Sequence, residues 1–432
     1  MNTTVPGTET QIKQTHAATQ SVTASTPSTK SWIFNTTVWV AALGYFVDMY
    51  DLSLFGIVRM PSLKAIGVTD PAQLLIQGAY LANWQMTGMM VGGVLWGILG
   101  DRRGRLSVLF GSILLYSLAN IANAFVGDLT SYAALRFLAG LGLAGELGAA
   151  ITLVAEVMPK EVRGYGTTIV ATLGLCGSAA AGIVGDTFQW QTAYIVGGVM
   201  GLFLLVTRFK IFESGMFEKM HHAGIRKGDV MMLFSKERFP RYLSCILIGV
   251  PIYFVTGVLI SYSPEFAKAI GVTQPVTVAR AVLFVAIGLA LGDLASGLFS
   301  QYLKSRKKAV GVFLLGAFAF VCAYLTIPGM SVSVFYGLCL AMGICAGYWA
   351  VLVTIASEQF GTNLRATVTT TVPNFVRGSL VLGNLSFTAL MARKLPIVEC
   401  AMIVGGVAFC FAFIALWKLQ ETYGKELNYT EH

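Results

Sequence analysis

Apolar residues run along this chain in blocks of about twenty, separated by short polar stretches. Twelve blocks can be marked, at roughly 33–59, 77–100, 106–126, 130–158, 165–186, 191–211, 242–264, 278–302, 309–328, 331–358, 365–391 and 396–418. A helix rises about 1.5 Å per residue, so a block of about 20 residues crosses the hydrocarbon core of a bilayer. The pattern predicts an all-α integral membrane protein with twelve transmembrane helices. The longest internal polar segment, about 212–240, contains "FESGMFEKMHHAGIRKGD" and divides six helices from six. The predicted organisation is a tail (1–31), a six-helix bundle (32–211), a central loop (212–240), a second six-helix bundle (241–420) and a second tail (421–432). The first 31 residues are rich in Thr, Ser and Gln and have no apolar centre, so they read as a disordered cytoplasmic tail and not as a cleaved signal.

The two halves echo each other. "AEVMPKEVRG" (155–164) is answered by "SEQFGTNLRA" (357–366), with Glu156 and Arg163 against Glu358 and Arg365 at an offset of 202 residues. "GILGDRRGR" (97–105) is answered by "GLFSQYLKSR" (297–306) at an offset of 200. A duplicated six-helix unit suits a two-bundle transporter whose site lies between the bundles near the bilayer midplane.

Composition adds an exclusion. With 55% hydrophobic and 12% charged residues among 432, the chain has too much apolar surface for a water-soluble globule. The charge is uneven as well. With both termini inside, twenty-two of the 30 Lys and Arg fall on the cytoplasmic side, Arg208 among them, and six, including Arg59, fall outside. That bias sets orientation and accounts for the net charge of +9 without nucleic acid. None of the seven cysteines lies in an outside loop, so no disulfide framework is implied. No phosphate loop, metal-ligand cluster or nucleophile constellation is present, so the chain reads as no enzyme, with no cofactor beyond a coupling proton.

Charges inside the apolar blocks are the candidates for chemistry, because each costs at least about 2.5–3.5 kcal/mol at mid-membrane unless paired or hydrated. "GYFVDMYDLSLFG" (44–56) carries Asp48 and Asp51 at i, i+3, on one helix face. The four histidines, His16, His221, His222 and His432, all lie in tails or the central loop, so carboxylates must carry any proton. Candidates are Asp48, Asp51, Glu146 and Asp293; Asp293 reads equally as a helix anchor. Arg377 sits twelve residues inside its helix with no acid within a turn. Its partner is either Asp293 or a substrate carboxylate, which a guanidinium fork fits well. An offset of 202 sets Tyr253 against Asp51 and Tyr348 against Glu146. The division suggests proton chemistry in the first half and substrate contacts in the second, with Tyr253, Tyr262, Tyr348, Trp349 and Asn374 as candidates. Asn83, Trp84 and Gln85 are candidates on helix 2.

The stretch "GILGDRRGR" resembles the loop pattern Gly-x-Leu-x-Asp-Arg-x-Gly-Arg of the major facilitator superfamily, through Gly97, Leu99, Asp101, Arg102, Gly104 and Arg105. The resemblance extends over 32–420. It implies two bundles working by alternating access, with Gly97, Asp101, Arg102, Gly104, Arg105, Glu156, Arg163, Glu358 and Arg365 as gating parts on the cytoplasmic side. Within that family, "RFLAGLGLAGELGAAITLVAEVMPKEVRG" (136–164) is similar to the fourth helix of sugar and organic-acid proton symporters. Met49-Tyr50-Asp51 matches the sugar-porter helix 1 motif except for its glycine, and Arg136 matches the helix 4 Arg that pairs with it. Asp48 and Gly145-Glu146 resemble the organic-acid branch. "LQETYGKEL" (419–427) resembles the sugar-porter tail, with Gln420 in place of proline.

The departures narrow the reading. Ser178, not proline, follows Gly177 in helix 5, which argues against antiport. Helix 7 lacks the paired glutamines of hexose carriers, and the loop 60–76 is short and without cysteine, as in bacterial plasma-membrane proteins. The resemblance implies proton-coupled uptake of a small polar solute, an organic anion, by a monomer in the lipid bilayer of a bacterial inner membrane. The alternatives are uptake of an amino acid or a sugar or polyol, and a solute sensor that does not transport.

Overall fold

The computed structural model describes residues 36–103, 105–146, 163–213 and 233–424. Among these residues, twelve helical elements fall on the twelve apolar blocks. The first half contributes α1 (Thr36–Ala65), α2 (Pro71–Arg103), α3 (Arg105–Asn123), α4 (Leu129–Leu143), α5 (Arg163–Thr187) and α6 (Trp190–Glu213). The second contributes α7 (Phe239–Ile260), α8 (Val278–Tyr302), α9 (Arg306–Thr326), α10 (Val332–Glu358), α11 (Thr362–Ala392) and α12 (Ile397–Lys418). Eight of the twelve are long and apolar enough to cross a membrane. Side chains such as Leu298, Leu382 and Trp417, each more than two-thirds exposed, cover the outside of the bundle, where lipid replaces water as the apolar solvent. The chain is a multi-pass membrane protein. The face where α1 starts is labelled inner and the face of the α1–α2 loop outer, following the orientation that the charge bias predicts.

Two helices are interrupted where the sequence predicts continuity. α7 is a helix over Phe239–Leu247, a single turn over Val250–Tyr253 and a π-helical turn over Phe254–Ile260, with a further short helix at Ser263–Ala269. Pro251 has no N–H to continue the ladder, and the N–H of Ile252 turns to the Gly249 carbonyl. The freed Ile248 carbonyl accepts instead from the Tyr348 hydroxyl at 2.9 Å. α10 runs over Val332–Ala346 and resumes over Trp349–Glu358. Asp293 on α8 accepts from the Ala350 N–H at 2.9 Å and so caps the resumed helix.

Helices within each half meet along glycines. A Cβ on Gly88 would stand 2.2 Å from the Phe137 carbonyl oxygen, and one on Gly92 would stand 2.5 Å from that of Leu141. In the second half the same contacts recur: Gly288 against Leu340 at 2.3 Å and Gly292 against Ile344 at 2.1 Å. Gly140 approaches the Gln85 carbonyl, as Gly343 approaches that of Val285. The α2–α4 and α8–α10 seams therefore share one register, offset by 200 residues on one helix and 203 on the other. By that register Glu146 corresponds to Trp349, one residue beyond the Tyr348 that the sequence echo gave. The turn at Ala144–Gly145 after α4 corresponds to the break at Gly347–Tyr348.

The halves meet mainly through α2 against α11 and α5 against α8. Beyond α12, residues 421–424 are not a free tail. Glu421 accepts from the N–H groups of Arg306 (2.9 Å), Thr422 (3.0 Å) and Tyr423 (3.1 Å) and from the Ser305 hydroxyl. Partial burial pushes the Glu421 carboxyl up, but these donors outweigh it and hold it below the usual range. Thr422 donates to Glu358 at 2.6 Å, and Arg306 lies 3.5 Å from the same carboxylate.

Candidate functional site

One face of α1, from Tyr45 through Met49, Ser53 and Gly56 to Arg59, forms a wall of a cavity of about 130 Å³ between the halves. The fourteen helical rises from Tyr45 to Arg59 span about 21 Å, so the cavity is a slot along the bundle axis. α2 contributes Gly78, Gln85 and Met86, α5 contributes Leu175 and Ser178, and α7, α8, α10 and α11 close the far side with Tyr253, Val285, Trp349 and Leu380. Most of the wall is aliphatic or aromatic. Its buried polar atoms without a partner among the described residues are Arg59 Nε and Nη1, Gln85 Nε2 and Trp349 Nε1. Each of these is a hydrogen-bond donor.

At the inner end of the slot, Arg377 and Asp48 form an ion pair. Nη2 lies 3.0 Å from Oδ2, and both side chains have zero exposure. The Arg377 Nε donates to the Tyr253 hydroxyl at 3.1 Å, and its guanidinium sits 6.0 Å from the Trp349 ring. Tyr253 and Trp349 line the cavity and meet edge to face at 6.0 Å. Arg377 thus stands directly behind them. The pair joins α1 to α11 across the halves. It is single-point: Arg377 Nη1 and Asp48 Oδ1 have no partner among the described residues. The partner of Arg377 is Asp48; Asp293, the alternative read from sequence, is occupied at the α10 cap.

Asp51 lies three residues on and faces into the first bundle. It is 2% exposed, and a Cβ on Gly197 of α6 would stand 2.5 Å from its Oδ1. Arg136 of α4 and Asn120 of α3 are its polar neighbours. Asp51 and Arg136 are close enough to interact as charges but form no hydrogen bond, and all three Arg136 nitrogens lack a partner among the described residues. Arg136 rests over the rings of Phe55 (4.7 Å) and Tyr194 (5.8 Å). Tyr194, Tyr132 and Ser62 extend a hydroxyl chain toward the outer face at 2.7 and 3.0 Å.

The other predicted residues fall into distinct places. Glu146 is bound by Nη2 and Nη1 of Arg208, at 2.5 and 3.0 Å, with both residues buried. Arg208, assigned to a cytoplasmic loop from sequence, is thereby corrected to an interior residue of α6. Gln85 lines the slot. Tyr348 does not; it is fully buried and engaged with Ile248. Asn374 bridges the halves, donating to the Ala144 carbonyl at 3.2 Å, and also lies outside the slot. Of the gating set, Glu358 holds Arg306 and Thr422. Gly97, Asp101 and Arg102 are on α2, Arg105 on α3, Arg163 on α5 and Arg365 on α11. The side chains of Asp101, Arg102, Arg105, Arg163 and Arg365, and all of Gly104 and Glu156, lie outside the described residues.

A second cross-half pair was not foreseen. Arg59, assigned outside from sequence, is 1% exposed and reaches Glu265 in the short helix after α7 at 2.7 Å. Its Nη2 also donates to the Ser261 carbonyl at 3.1 Å, and the guanidinium lies 4.2 Å from the Tyr262 ring. Asn384 of α11 donates to Asn83 of α2 at 3.0 Å. The available signal was an arginine at the end of an apolar block, which charge counting treats as loop.

A family model for the Major Facilitator Superfamily matches residues 41–383. The chain is 28% identical over 364 residues to the niacin transporter NiaP of Acinetobacter baylyi, covering 77% of this chain and 81% of that one. It is 28% identical over 353 residues to the 3-(3-hydroxy-phenyl)propionate transporter of Escherichia coli, covering 79% and 83% respectively. Among solved structures, the inward-open xylose transporter XylE of E. coli superposes with a TM-score of 0.67 at 16% identity, covering 91% of this chain and 98% of that one.

Proposed function

We infer, from the premise that this chain belongs to the Major Facilitator Superfamily, that it takes up a small aromatic or heteroaromatic monocarboxylate together with a proton. The observation that carries this reading is the uniform polarity of the slot. Its unsatisfied buried groups on Arg59, Gln85 and Trp349 are all donors. A buried donor without a partner costs about 1–3 kcal/mol, so the fitting ligand presents acceptors, and a carboxylate is the densest set of acceptors. The aliphatic and aromatic remainder of the wall suits a ring. The named relatives, carriers of niacin and of a hydroxyphenylpropionate, agree in chemistry.

The Asp48–Arg377 pair supplies a coupling mechanism. A proton on Asp48 cancels its charge and loosens its hold on Arg377. A substrate carboxylate then takes the guanidinium, using the unpartnered Nη1, and the local charge is unchanged. Asp51, beside Arg136 without a hydrogen bond, is a second proton acceptor reached by the Ser62–Tyr132–Tyr194 hydroxyls. Because α1 and α11 belong to different halves, exchange of the pair for proton and substrate releases one half from the other. Glu146 is held by Arg208 in this state and serves as a structural counter-charge. The membrane in this reading is a bacterial inner membrane, with both termini cytoplasmic.

The test is uptake into proteoliposomes of labelled nicotinate, benzoate and 3-hydroxyphenylpropionate, against xylose and amino acids, with and without an inward proton gradient. Accumulation of an aromatic acid only under the gradient is expected. Accumulation of the sugar or an amino acid in preference to every acid would remove the carboxylate from the mechanism.

A further inference from the structure

Arg59 and Arg377 stand at opposite ends of one slot, and each meets a single carboxylate oxygen across the halves, with the Ser261 carbonyl as a further acceptor on Arg59. At the outer end, Glu265 binds Arg59 Nη2 through Oε1 alone; its Oε2 has no partner among the described residues, nor have Arg59 Nε and Nη1. A guanidinium offers a carboxylate two forks, Nε with Nη2 and Nη1 with Nη2, and both include the nitrogen that Glu265 holds. Nη2 has two N–H groups, one on Glu265 and one on the Ser261 carbonyl. A second carboxylate therefore gains two-point contact with Arg59 only by displacing one of them, and repulsion between like charges makes Glu265 the one that leaves. Two parallel N–H···O bonds are worth more than one, so a ligand that forks Arg59 competes well against the one-point hold of Glu265. Gln85 lies on the same wall at 1% exposure, its Nε2 unpartnered.

We infer that Arg59 is a loading station for the carboxylate of an incoming aromatic acid, which displaces Glu265 before moving along the slot toward Arg377. This rests on the carboxylate reading above. It assigns Glu265 a double part. Glu265 closes the outer face by joining α1 to the segment after α7, and it is the internal competitor that the substrate must replace. Arrival of the substrate and release of the outer clasp become one exchange of anions on one cation.

The two partners then affect binding with opposite signs, which a mere structural clasp would not do. Uptake of externally added labelled benzoate and nicotinate is measured in cells expressing the full chain, and the half-saturation concentration is read. Arg59→Gln should raise it at least tenfold. Glu265→Gln removes the competitor and should lower it several-fold. Gly78→Ala gives a charge-neutral control, since its Cβ would stand 2.5 Å from Arg59 Cδ and push the side chain out of place; it should raise the value as Arg59→Gln does. If Arg59→Gln fails to fold, the other two variants carry the test. A half-saturation that rises or stays unchanged in Glu265→Gln, or one that is unchanged in Arg59→Gln, overturns the loading station. Wild type showing no saturable uptake of either acid overturns the carboxylate reading itself and this station with it. Wild-type uptake with the wrong variant signs overturns the station alone.

Discussion

Neutralising one member of the Asp48–Arg377 pair should be far worse than neutralising both. At 3.0 Å and an effective dielectric of about 20, two unit charges attract by about 5–6 kcal/mol. Desolvating both ions consumes most of that gain, so a buried pair contributes little relative to a neutral replacement. Removing a single partner, however, leaves an uncompensated buried charge and costs about 3–5 kcal/mol. Arg377→Gln strands Asp48, whose Oδ1 already lacks a partner. Asp48→Asn leaves Arg377 with only the Tyr253 hydroxyl and the Trp349 ring. The double variant removes both charges and should recover most of the loss, giving a coupling of about 2 kcal/mol or more, as expected for contacting residues. Thermal unfolding in detergent of wild type, both singles and the double, without substrate, closes the cycle. A double variant no more stable than the worse single would refute the pairing and reopen the assignment of Arg377 to another partner.

Asp51→Asn should abolish proton-driven accumulation while solute counterflow persists; intact accumulation removes Asp51 from the proton path. Gly288→Ala places a Cβ 2.3 Å from the Leu340 carbonyl, and overpacking of this kind costs about 1–3 kcal/mol, so its melting temperature should fall, whereas Gly337→Ala, which meets nothing within 4 Å, should leave it unchanged. The Glu421 carboxyl is held below its ordinary range in the folded chain. Its contribution is therefore complete above the ordinary glutamate value and fades as pH falls through the depressed one. Glu421→Gln at neutral pH should lower the protection of the Arg306 and Tyr423 amides against exchange, relative to their intrinsic rates, and wild-type protection should fall toward the same level at acidic pH; equal protection in both proteins at neutral pH counts against the clamp.

The spans and the duplication were legible because they rest on runs of twenty residues and on offsets that recur. Proline and glycine at 249–251 marked a break in α7 that a hydropathy reading smooths over. The ion pairs were not legible, because their members lie 62, 206 and 329 residues apart in the chain. Local reasoning shows that a charge in an apolar block needs an answer, as it did for Arg377, but not which acid supplies it. Arg59 and Arg208 were misplaced for a related reason. Positive-inside counting assigns an arginine near the end of a block to the loop, yet a long side chain there can turn inward when a carboxylate waits on a neighbouring helix. Asp293 had two open readings, and the break in α10 at Gly347–Tyr348 leaves an N–H that its carboxylate caps.

The glycine seams bear on how such a chain can diverge. What the two halves have kept in common at Gly88 and Gly288, or Gly92 and Gly292, is the absence of a side chain, since any Cβ would press on a neighbouring carbonyl. Drift is forbidden there in both copies. Positions that face the slot carry no such constraint: Gln85 corresponds to Val285 in the seam register, and both line the slot. Selectivity can therefore be rewritten residue by residue on the lining while the duplicated frame stays fixed. A library confined to the lining, with the seam glycines untouched, should yield folded carriers of new acids more often than one of equal size spread across the helices.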